Sequence, residues 1–233
     1  MIEYRTIYNN TTISIFLGGE NGNIIFAPGL PQYIDKYHPL VQQIERLKYN
    51  LFVPHYPGTH DSGGELNIIG SANAIANTTQ LVKKGCTNEL FNDKKIAWKN
   101  TNFYALGFSF GALPLLIQKE PIDKIAVICP FVSMEFHKNQ DYKSENISKT
   151  LDFLSRAYKN TYRFNKSKLL DELTSTKLPK DDKNITVIFA KDDESIPFQE
   201  IQYLSQLYHC DIIKKPGTHS LKIDDEIFVK LWS

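Results

Sequence analysis

The chain has 233 residues, 42% of them apolar, enough for one sizeable core and too many for intrinsic disorder. Its 27 Lys and Arg against 26 Asp and Glu leave a net charge of +1, with no basic excess to attract nucleic acid and no charged tail. Three cysteines (Cys86, Cys129 and Cys210) without C-x-x-C spacing exclude a disulfide scaffold or structural zinc site and fit a reducing compartment.

Residues 3–8 and 12–17 alternate and are rich in β-branched and aromatic side chains, with Asn9 and Asn10 as a turn between two strands. Residues 23–27 form a short continuous apolar run, as in strands buried on both faces. The period then changes: Leu40, Val41, Ile44 and Leu47 fall at helical spacing behind Pro39. Strand character returns at 50–53. A second helix is predicted over 71–84, capped by Ser71 and ended by Gly85. Strand 101–106, helix 111–119 and strand 124–129 follow, with Pro114 inside the helix expected to cause a small distortion.

Residues 131–183 break the alternation. They are richer in charges and amides and carry helical patterns at Ile147, Leu151, Leu154 and Tyr158, and around Leu169, Leu170 and Leu173. Strand 184–190, helix 197–208, strand 211–214 and helix 223–232 complete the chain. Repeated β–α alternation predicts an α/β fold with a mainly parallel sheet and helices on both faces. The expected organisation is one core, residues 1–130 and 184–233, with 131–183 as a helical insert. Apolar runs fall far short of the ~18 residues a membrane-spanning helix needs. The N-terminus MIEYRTIYNN has early charges and no apolar stretch, so a cytoplasmic location without membrane partner is expected.

The sharpest motif is Gly107-Phe108-Ser109-Phe110-Gly111, placed between a predicted strand and a predicted helix. A strand-to-helix turn of this kind lifts the serine above the sheet and needs small residues two positions away. It also aims the Phe110 N–H from a helix N-terminus at a developing oxyanion. A serine nucleophile needs a base, and the base an orienting acid. Both lie downstream: Asp193, with Asp192 as competitor, beyond strand 184–190, and His219 beyond strand 211–214. His209 falls at the opposite end of its strand. His38, His55, His60 and His137 precede the acid. Strand C-terminal ends are where open α/β sheets build their sites.

These residues, in this order, resemble the α/β-hydrolase family over nearly the whole chain. Ala190-Lys191-Asp192-Asp193-Glu194-Ser195-Ile196-Pro197 is similar to the family's acid motif, which puts the acid at Asp193. The resemblance implies a second oxyanion donor in Pro28-Gly29-Leu30-Pro31, where Pro28 replaces the usual His. Leu30 is its first candidate and Gly29 its second, since neither proline has an N–H. The segment ending Ser62-Gly63-Gly64 resembles a loop that braces the site from below. The cluster of His55, His60 and Asp61 lacks the spacing of a metal site. Residues 131–183 occupy the place of the family's cap, which covers the active-site mouth and sets substrate choice.

The expectation is a serine esterase acting on a small or medium substrate with Ser109, Asp193 and His219, an oxyanion hole from the N–H groups of Phe110 and Leu30, and neither metal nor cofactor. Acyl transfer, amide cleavage, or ligand binding without catalysis are the alternatives on the same residues. Gly29, Phe108, Phe131 and Met134 are the candidate substrate contacts, with Phe136, Phe153 and Tyr158 as further cap candidates. Nothing in the sequence selects a natural substrate or an oligomeric state.

Overall fold

The alternating N-terminal residues pair in an antiparallel hairpin, β1 (Ile2–Tyr8) with β2 (Thr11–Leu17), Ile2 opposite Leu17 and Tyr8 opposite Thr11. Asn9 and Asn10 between them both have positive φ, 47° and 62°, as a tight two-residue hairpin turn requires. The computed structural model describes residues 1–132, 134, 144–181 and 183–232.

β3 (Asn23–Ala27) and β4 (Asn50–Pro54) are buried at every position. An alternating strand would have one wet face, so full burial means that both faces of the sheet are covered here. Between them lies α1 (Pro39–Arg46), capped by the His38 side chain on the Leu40 N–H, with Val41 and Ile44 buried. α2 (Ile68–Lys84) starts one turn before the predicted Ser71. Asn67 is its N-cap, accepting from the Gly70 N–H at 2.6 Å, and Ser71 is buried inside the helix. Gly85 ends it in the left-handed region at φ 76°, as expected.

A small antiparallel pair follows, β5 (Cys86–Asn88) with β6 (Lys95–Ala97). The sequence pattern predicts no strands there. β7 (Phe103–Phe108) runs into a 3₁₀ turn (Ser109–Gly111) and α3 (Ala112–Ile117). Pro114 therefore sits in the first turn of α3, where proline is tolerated. β8 (Lys124–Ile128) comes next. Residues 129–183 then contain α4 (Ser144–Ala157) and α5 (Lys166–Ser175). β9 (Asn184–Ala190), α6 (Phe198–Leu207), β10 (His209–Lys215) and α7 (Asp225–Trp232) close the chain.

The eight-stranded sheet has the order β1-β2-β4-β3-β7-β8-β9-β10, and only the β1–β2 and β2–β4 pairs are antiparallel. Register aligns the C-terminal ends of the parallel strands: Ala27 faces Gly107, Phe108 faces Ile128, Ile128 faces Ile188, and Ala190 faces Lys215. The connections leaving β3, β7, β8, β9 and β10 thus emerge on one rim. The α4–α5 stretch is tied to the other side of that rim. Glu172 accepts from the Ile68 N–H at 2.8 Å, and the His60 N–H donates to the Thr161 carbonyl at 2.7 Å. No helix among the described residues is long and apolar enough to cross a membrane.

Candidate active site

Ser109 stands where β7 turns into helix, at φ 49°, a conformation unfavourable for a residue with a side chain. The surroundings hold it there. Its carbonyl accepts from the Phe131 N–H at 3.1 Å. The two flanking glycines have distinct steric reasons. A Cβ on Gly107 would lie 3.0–3.1 Å from Leu115 and the Ala112 backbone, and one on Gly111 would run into the Ala27 carbonyl. The turn can form only against β3 if position 111 has no side chain.

Asp193 lies three residues beyond β9. Its Oδ1 accepts from the N–H groups of Ser195 and Ile196 at 2.8 and 2.9 Å, which fixes the carboxylate. Its Oδ2 meets His219 Nδ1 at 2.9 Å, and His219 Nε2 meets Ser109 Oγ at 2.9 Å. Asp192 faces elsewhere, its carboxylate 3.4 Å from the Gly217 N–H. The Asp193 side chain is only 3% exposed. Burial works against its charge, but the His219 hydrogen bond and charge, with the two backbone N–H groups, outweigh it and hold the carboxyl below the usual aspartate value. An ionised carboxylate can only accept, so Nδ1 is the donor in that bond, and in the neutral imidazole this leaves Nε2 as acceptor for the serine hydroxyl. That is the protonation pattern general-base activation of a serine needs.

Leu30 and Gly29 follow β3 beside this serine. A Cβ on Gly29 would lie 2.8 Å from the Phe108 ring and 3.2 Å from Ser109 Cβ. The Gly29 N–H is taken by Gln32 Oε1 at 2.9 Å, whereas the Leu30 N–H has no hydrogen bond among the described residues. Three contacts brace the loop: Tyr56 Oη donates to the Pro28 carbonyl at 3.1 Å, His60 Nε2 donates to the Gln32 carbonyl at 3.1 Å, and Arg5 donates to Tyr33 Oη at 2.7 Å. The sequence offers no signal for Tyr56, whose contact joins distant segments, or for Gln32, whose bond to Gly29 depends on the shape of the loop between them. Phe110 lies in the first turn after the serine, where N–H groups lack intrahelical acceptors.

Two cavities open beside Ser109. One, of about 590 Å³, lies under α4 and α5 and is lined by Ser109, Phe110, Phe131, Ile147, Leu151 and His219, among others. The other, of about 780 Å³, lies between α1 and residues 219–225 and includes Gly29, Leu30, Phe108 and His219. Phe153 lines the first cavity. Met134 is buried in the core at 4% exposure and lines neither, and Tyr158 also lines neither. Phe136 falls outside the described residues.

One trio among the described residues has metal-ligating atoms within 4.8 Å of one another: Cys129, Asp193 and His219. Two of its members already bond each other, and burial pushes the Cys129 thiol up to about 12, so no thiolate is offered at neutral pH. His55, His60 and Asp61 form no such group. His55 and Asp61 join a different network: Ser14 Oγ meets His55 Nε2 at 3.0 Å, His55 Nδ1 meets Asp61 Oδ1 at 2.6 Å, and the other Asp61 oxygen pairs with Arg5.

No family model and no curated protein sequence matches the chain. Solved structures do. Est1E from Butyrivibrio proteoclasticus with ferulic acid bound has a TM-score of 0.67 at 13% identity, over 97% of this chain and 94% of that one. The esterase EaEST from Exiguobacterium antarcticum has 0.67 at 14%, over 98% of each. The monoacylglycerol lipase of Paleococcus ferrophilus has 0.61 at 13%, over 99% and 96%. The fold thus recurs nearly end to end in chains of very different sequence, solved α/β hydrolases among them: this chain has the α/β-hydrolase fold.

Proposed function

We propose that the protein is a serine hydrolase that cleaves a carboxylic ester, or a related acyl bond, of a small or medium substrate. The observation that carries the reading is the unbroken hydrogen-bond chain from buried Asp193 through His219 to Ser109, on a positive-φ turn that opens into an apolar cavity. Residues 131–183 serve as the cap over that cavity, and 1–130 with 184–233 as the core. The esterase and lipase descriptions of structurally similar proteins agree with this chemistry.

In the proposed mechanism Ser109 Oγ attacks the carbonyl carbon while His219 Nε2 takes its proton. The carbonyl π electrons move onto oxygen, which the N–H groups of Phe110 and Leu30 receive. The tetrahedral intermediate collapses, the C–O bond to the leaving group breaks, and His219 hands its proton to the departing oxygen. Water, deprotonated by His219, then attacks the acyl-enzyme, and Ser109 leaves with the proton. Asp193 keeps the imidazole in one tautomer and stabilises the imidazolium. Neither metal nor cofactor enters any step.

The test is labelling by a small fluorophosphonate probe, with the modified residue located by peptide mass spectrometry. The expected result is stoichiometric modification of Ser109, abolished in Ser109→Ala. Folded protein that stays unlabelled at Ser109 overturns the mechanism. Turnover of p-nitrophenyl esters of increasing acyl length, lost in Ser109→Ala, gives the activity itself.

A further inference from the structure

The two cavities meet at Leu30 and His219, but they do not share the nucleophile. Ser109 and Phe110 line only the one under α4, while Gly29, Phe108 and residues 220–225 line only the one beside α1. The two arms of an ester have different obligations in the proposed reaction. The acyl arm becomes bonded to Ser109 Oγ and must run away from the serine. The leaving oxygen must reach His219 Nε2 for its proton and never bonds Ser109.

We infer that the acyl arm occupies the cavity under α4 and the alcohol arm the cavity beside α1, so the substrate class is an ester with a sizeable group on both sides of the carbonyl. The inference rests on the hydrolase reading above. Volumes of about 590 and 780 Å³ each fall within the ~300–1,000 Å³ of small-molecule sites. A methyl or ethyl alcohol would leave the α1 side almost empty. Leu40, Leu106, Phe108 and Leu221 give that cavity apolar walls, while α1 and residues 220–225 also bring polar and charged groups to it, Gln42, Gln43, Arg46, Lys222, Asp224 and Asp225 among them. Apolar walls with polar and charged groups along α1 and residues 220–225 suit an aryl or medium-chain alkyl alcohol that carries a polar substituent.

Leu40 is half-buried on the first turn of α1 and Leu221 half-buried beyond His219, so each can be enlarged without disturbing the serine. Ile147, half-buried on α4, is the counterpart in the other cavity. The experiment measures kcat/KM on two pairs of esters. Methyl and 2-naphthyl butanoate vary the alcohol; 2-naphthyl acetate and 2-naphthyl octanoate vary the acid. Ratios within each pair, compared between variant and wild type, cancel the intrinsic reactivity of the esters.

Leu40→Trp is expected to lower the naphthyl-to-methyl ratio about tenfold or more, the scale of steric discrimination in an apolar pocket. Leu221→Trp is expected to do the same, and guards against a local folding failure in the first variant. Ile147→Trp is expected to lower the octanoate-to-acetate ratio instead. If the Leu40 and Leu221 variants retain their Tm yet shift the acyl ratio, or neither ratio, the assignment of arms is overturned. Fluorophosphonate labelling of the same preparations separates the two levels. An unlabelled Ser109 removes the hydrolase reading and the inference with it; a labelled Ser109 with unmoved ratios removes the inference alone.

Discussion

Among the described residues, two Ser–His–Asp chains run with nearly the same bond lengths. Ser109–His219–Asp193 has 2.9 and 2.9 Å, and Ser14–His55–Asp61 has 3.0 and 2.6 Å. In both, the carboxylate meets Nδ1 and the hydroxyl meets Nε2. They differ in which end is wet. Ser14 sits inside β2, paired with β1 on one side and β4 on the other, and is 1% exposed; Asp61 is 42% exposed and paired with Arg5. In the other chain the carboxylate is buried and the serine opens into a cavity. A hydrogen-bonded relay is therefore not a site by itself. What separates the two is a turn that pushes the hydroxyl out of the sheet and empty space in front of it.

The largest expected effect tests the serines against each other. Ser109→Ala should lower esterase kcat/KM by about 10⁴-fold or more. Ser14→Ala should leave activity nearly intact and reduce stability by about 1–3 kcal/mol in urea unfolding, because buried His55 Nε2 loses its partner. Folded Ser14→Ala that is inactive would break the distinction. The carboxylates come next. Asp193→Asn should cost about 10³- to 10⁴-fold in kcat, since an amide cannot hold the required tautomer. Asp61→Asn should show its effect in unfolding rather than turnover.

A smaller effect tests the turn. Gly111→Ala drives a methyl into the Ala27 carbonyl and should destabilise by about 1–3 kcal/mol or more. Gly63→Ala, whose Cβ would meet nothing within 4 Å, should stay within about 0.5 kcal/mol. Equal unfolding midpoints for the two would remove the steric argument.

The smallest effect concerns pH. Burial lowers the affinity of His38, His55 and His60 for a proton below the ordinary histidine value of 6.5, in His55 despite the Asp61 charge beside it. The unfolded chain then takes up protons first. Stability from these groups is complete above pH 6.5 and is lost as the pH falls from there through the depressed values. Tm should decline on acidification from neutrality, and His55→Gln should flatten that decline. An unchanged slope would show that the Ser14 relay contributes nothing to the acid response.

Much of this arrangement was legible in the sequence because it is local. β3 and β9 read correctly to the residue, since a continuous apolar run has one reading in a β–α alternation. The serine turn was legible because its glycines are steric requirements written two residues either side. The start of α2 was misread, because Ile69 and Gly70 break the apolar period just where Asn67 caps the helix. The β5–β6 pair was missed because three-residue strands are too short to show a period. The Tyr56 contact that braces the loop beside the serine and the cavity beside α1 exist only through contacts between distant segments.

The connection between β8 and β9 has a consequence for trimming the molecule. These strands are parallel neighbours, Ile125 opposite Ile185. A chain leaving the end of one must travel back along the sheet before entering the other, so some connection of about a dozen residues is obligatory. The stretch that carries α4 and α5 is thus a detour in a route the chain has to take anyway. It cannot be excised and closed by a tight turn, and its first residues are fixed as well, since the Phe131 N–H holds the Ser109 carbonyl.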